Sequence, residues 1–264
     1  MPVITLISDR KNDDFFLGRL KGQLLSACEN LNIVDLAHNI THHSVSKAAF
    51  VLKNSYKDFP DNTVHLIGVD SECTEGRSHL IAKVMNQYFI TADNGLFSLV
   101  FEASEIDKLV KVEACEKSKF QTPALFTFGK IACKIIYGMK IEEFGEEVSN
   151  AKRLMALNPT YDKDYILGHL VYMDSYKNAV TDISYILFHE IAQGRPFVIY
   201  AGSHSYKINK ICNNYQDVEK GDLVAIFNSL GLLEIAMNKG RISELLSFNY
   251  NTKIRIEFYD HKNR

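Results

Sequence analysis

Apolar residues along the first half of the chain follow two alternating rhythms. Short, nearly unbroken runs predict strands: VITLIS (3–8), NIVDL (32–36) and TVHLIGV (63–69), the last interrupted only by His65. Between them, apolar residues recur at three- and four-residue spacing, which predicts helices. The first helix is expected over 13–30, with Asp13 and Asp14 in its first turn, and the second over 44–59, with Ser44 as N-cap and Pro60 beyond its end. HLIAKVM (79–85) and QYFITA (87–92) predict a hairpin around Asn86–Gln87, and 122–139 predicts a further helix. Such alternation implies an α/β domain with a mostly parallel central sheet covered on both faces.

The rhythm then changes. Residues 142–164 are charged and contain Asn158–Pro159, a linker signal. Short β-rich runs follow at 165–175, 196–202, 222–229, 232–237 and 252–260, separated by Asn, Gly, Asp and Lys. This pattern predicts a small antiparallel β-barrel or sandwich. The expected organisation is an α/β substrate-binding domain over 1–153, a linker over 154–166 and an antiparallel β-barrel domain over 167–264.

A chain of 264 residues suits one large or two modest domains, and 46% hydrophobic with 23% charged residues is ordinary globular composition. A net charge of -2 gives no basic surplus for nucleic acid. No run reaches the roughly 18 apolar residues of a membrane span. Five scattered cysteines without a CxxC pair argue against a disulfide scaffold or zinc site, and make the cytoplasm the expected compartment.

Phosphate cradles of the GxGxxG or GxxxxGK[ST] kind are missing, as is a GxSxG elbow. His42–His43 is an adjacent pair with no third ligand at metal spacing, and His189–Glu190 lacks the second histidine of HExxH. No metal site and no cofactor are expected. What remains is acids at strand ends. Asp9, Asp14 and Asp70 fall on the carboxyl rim of the predicted sheet, where open α/β sheets bind ligands. A carboxylate there suits a vicinal diol or an ammonium; equally, Asp9 and Asp14 are acids that a helix N-terminus favours. Asp70 and Arg77, seven residues apart, read either as a loop-closing salt bridge or as a polarised pair that handles water or substrate. By local pattern alone Asn94–Gly95 is a turn and Asn238 belongs to a hairpin signal.

Six segments in order resemble the S-adenosylmethionine hydroxide adenosyltransferases, relatives of the fluorinating and chlorinating enzymes. ITLISDRKNDDFFLGRLKG is similar to ITLLTDFG…DxYVGxxKG, and IVDLAHNITHHSVSKAAFVL to VDITHxIPPxDIxxAAFxL. TVHLIGVDSECTEGR is similar to VHLxVVDPGVGxxR, and ADNGLFSLV to PDNGLL. MDSYKNAVTDI resembles VDxFGNxITNI, and NSLGLLEIAMNKG resembles NSxGxLEIAxNxG. The resemblance implies a homotrimer with sites between subunits, binding S-adenosylmethionine or adenosine, with no further cofactor. It implies hydrolysis of S-adenosylmethionine to adenosine and methionine by water attack at ribose C5′.

By the same resemblance Asp70 and Arg77 are the catalytic, water-handling pair. Asp9 meets the ribose diol and Asp14 the methionine ammonium. Asn94, Phe128, Tyr176, Asn178, Tyr215 and Asn238 line the substrate, with Asn178 on the methionine side, Tyr215 stacking on adenine and Asn238 reading it. The chain also departs from the pattern. Arg10 and Lys11 replace a Phe and a Gly, the loop after Asp70 lacks the family's Pro and Gly residues, and Phe128 stands at the position of a water-activating histidine, with His79 as another base. The alternative implied is a member that binds adenosine or S-adenosylmethionine without turnover.

Overall fold

Alternate residues of one strand serve opposite faces of a sheet, and the apolar runs use both. Ile4 and Leu6 of β1 (Val3–Ser8) pack on one side and Ile7 on the other. The structure, a computed structural model, describes residues 1–74, 77–112, 123–203, 205–249 and 252–260. It comprises two units, Met1–Met155 and Ala156–Arg264.

In the first unit β1 leads to α1 (Phe15–Ala27), β2 (Asn32–Ala37), α2 (Val45–Lys53) and β3 (Val64–Gly68). There follow β4 (His79–Val84), β5 (Gln87–Ala92), α3 (Leu96–Val100), β6 (Lys108–Val112), α4 (Ala124–Ile136) and β7 (Gly145–Glu147). The sheet order is β2-β1-β3-β5-β4-β6-β7. β1, β2, β3 and β5 are mutually parallel, β4 runs against them, β6 returns to their direction and β7 is antiparallel to β6. The sheet is therefore mostly parallel. α1 and α4 cover one face, with Leu20, Leu24 and Phe128 buried there; α2 and α3 cover the other, around Tyr56 and Phe89.

Edge strand β7 rests on a close approach. A Cβ built on Gly145 would overlap the Lys111 carbonyl oxygen of β6. Gly145→Ala is expected to pry β7 from the sheet and to cost roughly 1–3 kcal/mol, read as a lower urea midpoint.

The second unit holds β8 (Thr160–Asp162), β9 (Tyr165–Met173), β10 (Ala179–Ser184), α5 (Tyr185–Ala192), β11 (Phe197–Ala201), β12 (Lys207–Ile208) and β13 (Ile211–Cys212). It ends with β14 (Leu223–Phe227), β15 (Leu232–Met237), α6 (Ile242–Leu245) and β16 (Lys253–Phe258). The strand order is β12-β11-β16-β9-β10-β15-β14-β13, with β8 on β9. All pairs are antiparallel except β13–β14. β9 belongs to both halves of the sheet and β12 approaches β14, so the sheet nearly closes into a barrel. Its core includes Ile166, Ile183, Ile235 and Ile256.

Several local expectations shift. The hairpin turns at Met85–Asn86, not Asn86–Gln87; both residues are left-handed (φ 48° and 60°), as a two-residue turn between right-twisted strands requires. The second helix stops at Lys53, and Tyr56–Asp58 is a separate 3₁₀ turn. Helix α5 was not foreseen, because YILFHEIA is apolar on nearly every side and reads like a strand. The expectation of no disulfide is overturned: Cys28 at the end of α1 is bonded to Cys133 of α4, their Cα atoms 5.9 Å apart and 105 residues apart in sequence. Cys73 is likewise disulfide-bonded, whereas Cys212 is a buried free thiol. Packing of α1 beside α4 makes the first pairing, and no local spacing announces it. Cys115, and Glu75 and Gly76 between Asp70 and Arg77, lie outside the described residues.

Candidate active site

Parallel pairing sets the carboxyl ends of β2, β1, β3 and β5 side by side on one rim. Ser8 pairs with Gly68, so Asp9 and Asp70 follow at neighbouring tips. The loop after β2 carries His38 to Ser44, and the turn after β5 carries Asn94. β4 runs the other way, so its first residue, His79, pairs with Ala92 at the same rim and Arg77 enters beside Asp70. Five strand ends thus deliver residues distant in sequence to one locus.

Asp70 is the hub. Arg77 forks onto it: Nη2 donates to Oδ2 at 3.2 Å, while Nη1 donates to Oδ1 at 3.3 Å and to the Asp70 carbonyl at 2.8 Å. Such two-nitrogen pairing fixes orientation as well as charge. The Asp70 amide donates to Asp9 Oδ2 at 3.2 Å, and Asn94 Nδ2 donates to the Val69 carbonyl at 3.0 Å. His43 Nδ1 lies 2.9 Å from Asp70 Oδ1. Asp70 has φ 44°, a left-handed backbone uncommon for a residue with a side chain; such strain collects at functional sites. Gly95 follows Asn94 at φ 95°, and the Asn94 side chain caps the Leu96 amide. Asn94 thereby acts as a brace for the Asp70 tip, itself only 4% exposed.

Asp14 is the N-cap of α1, accepting from the Phe16 amide at 3.0 Å. That bond, and Arg10 at 3.2 Å, hold its carboxyl below the usual range. Arg10 also lies over the Phe16 ring, 4.3 Å from its centre. The cation that replaces the family's aromatic residue is thus tied to this helix start.

In the second unit, Asn178 sits in the turn between β9 and β10. Its amide and its side-chain nitrogen both donate to the Asp174 carboxylate, at 2.8 and 3.1 Å. Tyr215 donates its hydroxyl to Glu234 Oε1 at 2.6 Å, and Asn228 donates to the other oxygen. Burial, then the bond to Glu234, push the Tyr215 phenol far above its usual range. The residue remains 40% exposed, with its hydroxyl held by Glu234. Asn238 donates to the Val218 carbonyl at 2.8 Å. Tyr176 is 75% exposed at the tip of the β9–β10 turn. The predicted residues are therefore divided between the units, Asp9, Asp14, Asp70, Arg77, Asn94 and Phe128 in the first and Tyr176, Asn178, Tyr215 and Asn238 in the second.

The N-terminal model of the SAM hydroxide adenosyltransferases matches residues 4–145, and the C-terminal model matches 168–255. The chain belongs to the SAM hydroxide adenosyltransferase family. Curated relatives include "(R)-S-adenosyl-L-methionine hydrolase" of Methanocaldococcus jannaschii, 23% identical over 97% of this chain and 96% of that protein. The protein of the same name from Thermus thermophilus is 24% identical over 97% of this chain and all of its own length. An uncharacterised conserved protein of Thermotoga maritima has the same fold, with a TM-score of 0.84, 24% identity and coverage of 97% of this chain and 99% of that one.

Against the family pattern, Phe128 is the residue the structure handles differently from expectation. It is fully buried in α4 against the sheet, its ring edge-on to His79 at 5.4 Å, and presents no surface to a substrate. His79 is equally withdrawn. Its Nε2 donates to the Ser71 carbonyl at 3.2 Å, and burial, aided by Arg77, lowers its pKa. It supports the loop after Asp70 and does not reach the carboxylate. Among the described residues no three His, Cys, Asp or Glu side chains group as metal ligands. Sequence reasoning passed over Asp174, Glu234 and His43. The first lay inside a flagged motif, the second in a strand, and the third was weighed only as half of a metal pair.

Proposed function

We propose that this protein hydrolyses S-adenosylmethionine to adenosine and methionine, with Asp70 and Arg77 as the catalytic pair. The observation that carries the reading is the Asp70 carboxylate, clamped by both terminal guanidinium nitrogens at a strained strand tip beside Asp9. Family membership and the names of the curated relatives support the same reaction.

The substrate's sulfonium is already a good leaving group and needs no acid. What the site must supply is an oriented water and a field that tolerates the proton it sheds. Oxygen bonds to C5′, the C5′–S bond breaks with its electron pair going to sulfur, and methionine departs as a neutral thioether. One water proton is released. Asp9 accepts from the ribose diol, and Asp14 receives the methionine ammonium. Asn94 holds the Asp70 tip, a bracing role in place of direct substrate contact. Asn178, presented by Asp174, faces the methionine side, Tyr176 stands beside it, Tyr215 stacks on adenine and Asn238 reads its edge. The proposal includes a homotrimer with each ligand between subunits, and no further cofactor. A cytoplasmic setting is not part of the proposal, because the Cys28–Cys133 bond removes the reading of the cysteines on which it rested; no helix among the described residues is long and apolar enough to cross a membrane.

Purified protein incubated with S-adenosylmethionine is expected to release adenosine and methionine in equal amounts, from a species of three chains by light scattering. Tight binding of S-adenosylmethionine with no adenosine formed would overturn hydrolysis in favour of a binding-only member.

A further inference from the structure

Asp70 receives two cationic or potentially cationic groups on one oxygen: Arg77 Nη1 at 3.3 Å and His43 Nδ1 at 2.9 Å on Oδ1. Arg77 comes from the chain just after Asp70. His43 comes from the loop between β2 and α2, 27 residues earlier. That loop is fastened where it leaves the sheet. The Asn39 amide donates to the Arg10 carbonyl at 2.9 Å and the Ile40 amide to the Ser8 carbonyl at 3.3 Å. Ser8 Oγ and His38 Nδ1 are 2.7 Å apart, with Asp35 3.1 Å beyond the other ring nitrogen. Below His43, the Ser44 amide donates to Thr41 and the Val45 amide to His43 itself, closing the turn into α2. His43 has φ 60°, a second left-handed residue aimed at the same carboxylate. The loop is thus anchored to the tip of β1, the strand end that carries Asp9.

We propose that His43 is the general base of the reaction, oriented by Asp70. The proposal rests on the hydrolase reading above. An ionised Asp70 can only accept, so the proton between the two groups sits on Nδ1. That tautomer leaves Nε2 with its lone pair outward. The His43 side chain is 69% exposed and the Asp70 side chain 21%, so the imidazole stands at the mouth of the pair, where water reaches it. A base held in one tautomer by a carboxylate is the arrangement that activates oxygen nucleophiles in unrelated hydrolases. In the step proposed, Nε2 takes the proton from the attacking water as the C5′–O bond forms and C5′–S breaks, then passes it to solvent. Arg77 holds Asp70 in place. Phe128 and His79, both buried, are free of the task.

The competing account is an exposed ion pair of little consequence. The two separate in steady-state kinetics with S-adenosylmethionine. His43→Gln is expected to lower kcat roughly 100-fold while KM moves by less than about threefold, because the base touches water and not the substrate's binding groups. His43→Ala is expected to regain at least about tenfold in kcat with added imidazole, which can enter an exposed site. His42→Gln, whose ring centre is 6.4 Å from that of His43, is expected to match wild type. Turnover by His43→Gln within about twofold of wild type would overturn the assignment and leave a surface ion pair. A loss that accompanies lost substrate binding and resists imidazole would overturn it too, making His43 a structural support. Absence of adenosine from the wild type would instead sink the hydrolase reading and this proposal with it.

Discussion

Asp70→Asn is expected to cut kcat roughly 10³-fold while S-adenosylmethionine binds within a few-fold of wild type. The change keeps size and shape and removes the charge. Asparagine is also among the side chains that best tolerate a left-handed backbone, so the φ of 44° at this position is preserved. Alanine would confound lost charge with lost conformation. Two partners lose their reference in the variant. Arg77 no longer faces a carboxylate, and the amide offers one accepting oxygen where two were used. His43 fares worse. If the amide nitrogen turns toward Nδ1, the imidazole must accept there and carry its proton on Nε2, the wrong side for taking one from water. The size of the loss follows from what a positioned base contributes, 10² to 10⁴ in rate, with electrostatic support removed at the same time. Binding is expected to survive because Asp9 and Asp14, the proposed binding acids, are unchanged. Equal loss in kcat and binding would place Asp70 among the binding residues instead. Rapid-mixing measurement of a single turnover, alongside equilibrium binding, separates the two.

Much of this arrangement is legible in the chain because strand ends are legible. VITLIS and TVHLIGV are buried strands and NIVDL is the partly exposed edge strand beside them, and wherever such a run stops the next polar residue lies on the rim. Asp9 and Asp70 follow from that alone. The Asp70–Arg77 pairing follows from a six-residue connection rich in turn-formers between a strand end and a strand start. His43 does not follow. Its contact with Asp70 spans 27 residues and depends on β1 lying between β2 and β3, a sheet order that no local pattern states. The Cys28–Cys133 bond is hidden for a similar reason, since it reports the packing of two helices. Phe128 shows the opposite failure. Alignment to a family motif puts it at a catalytic position, but a phenyl ring in an apolar helix is drawn into the core, and burial governs where it points. In the second unit, Asn178 and Tyr215 were legible as motif members, while the acids that hold them, Asp174 and Glu234, were not. A buried carboxylate is rare enough in a strand such as LLEIAM that the polar exception at Glu234 was the available signal.

Another titratable group acts on stability instead of chemistry. His65 lies in the middle of β3 with no exposed surface, its ring stacked on Phe89 at 4.6 Å. Nε2 faces Gln87 Oε1 at 3.0 Å and Nδ1 faces Thr5 Oγ1 at 2.7 Å. The amide nitrogen of Gln87 donates to the Phe59 carbonyl, so its oxygen is the end turned to the ring and Nε2 must be the donor. Nδ1 then accepts from Thr5, and the neutral imidazole is satisfied on both sides. Burial pushes the pKa down from 6.5 to about 4, against a smaller opposing effect of Gln87. The unfolded chain therefore binds a proton at His65 between pH 6.5 and 4 that the folded chain refuses. The contribution is whole above pH 6.5, falls as the pH drops through this window, and is spent below pH 4. Its full size is roughly 3 kcal/mol, at 1.36 kcal/mol for each unit of difference. In urea unfolding followed by circular dichroism, moving from pH 7 to 4.5 is expected to cost the wild type about 2 kcal/mol more than His65→Gln. The variant starts less stable at neutral pH, because glutamine cannot reproduce both the ring stacking and the bond to Thr5, but it lacks the titration. Parallel pH profiles for the two proteins would show that β3 admits the charged imidazole, and would place the acid sensitivity of this sheet elsewhere.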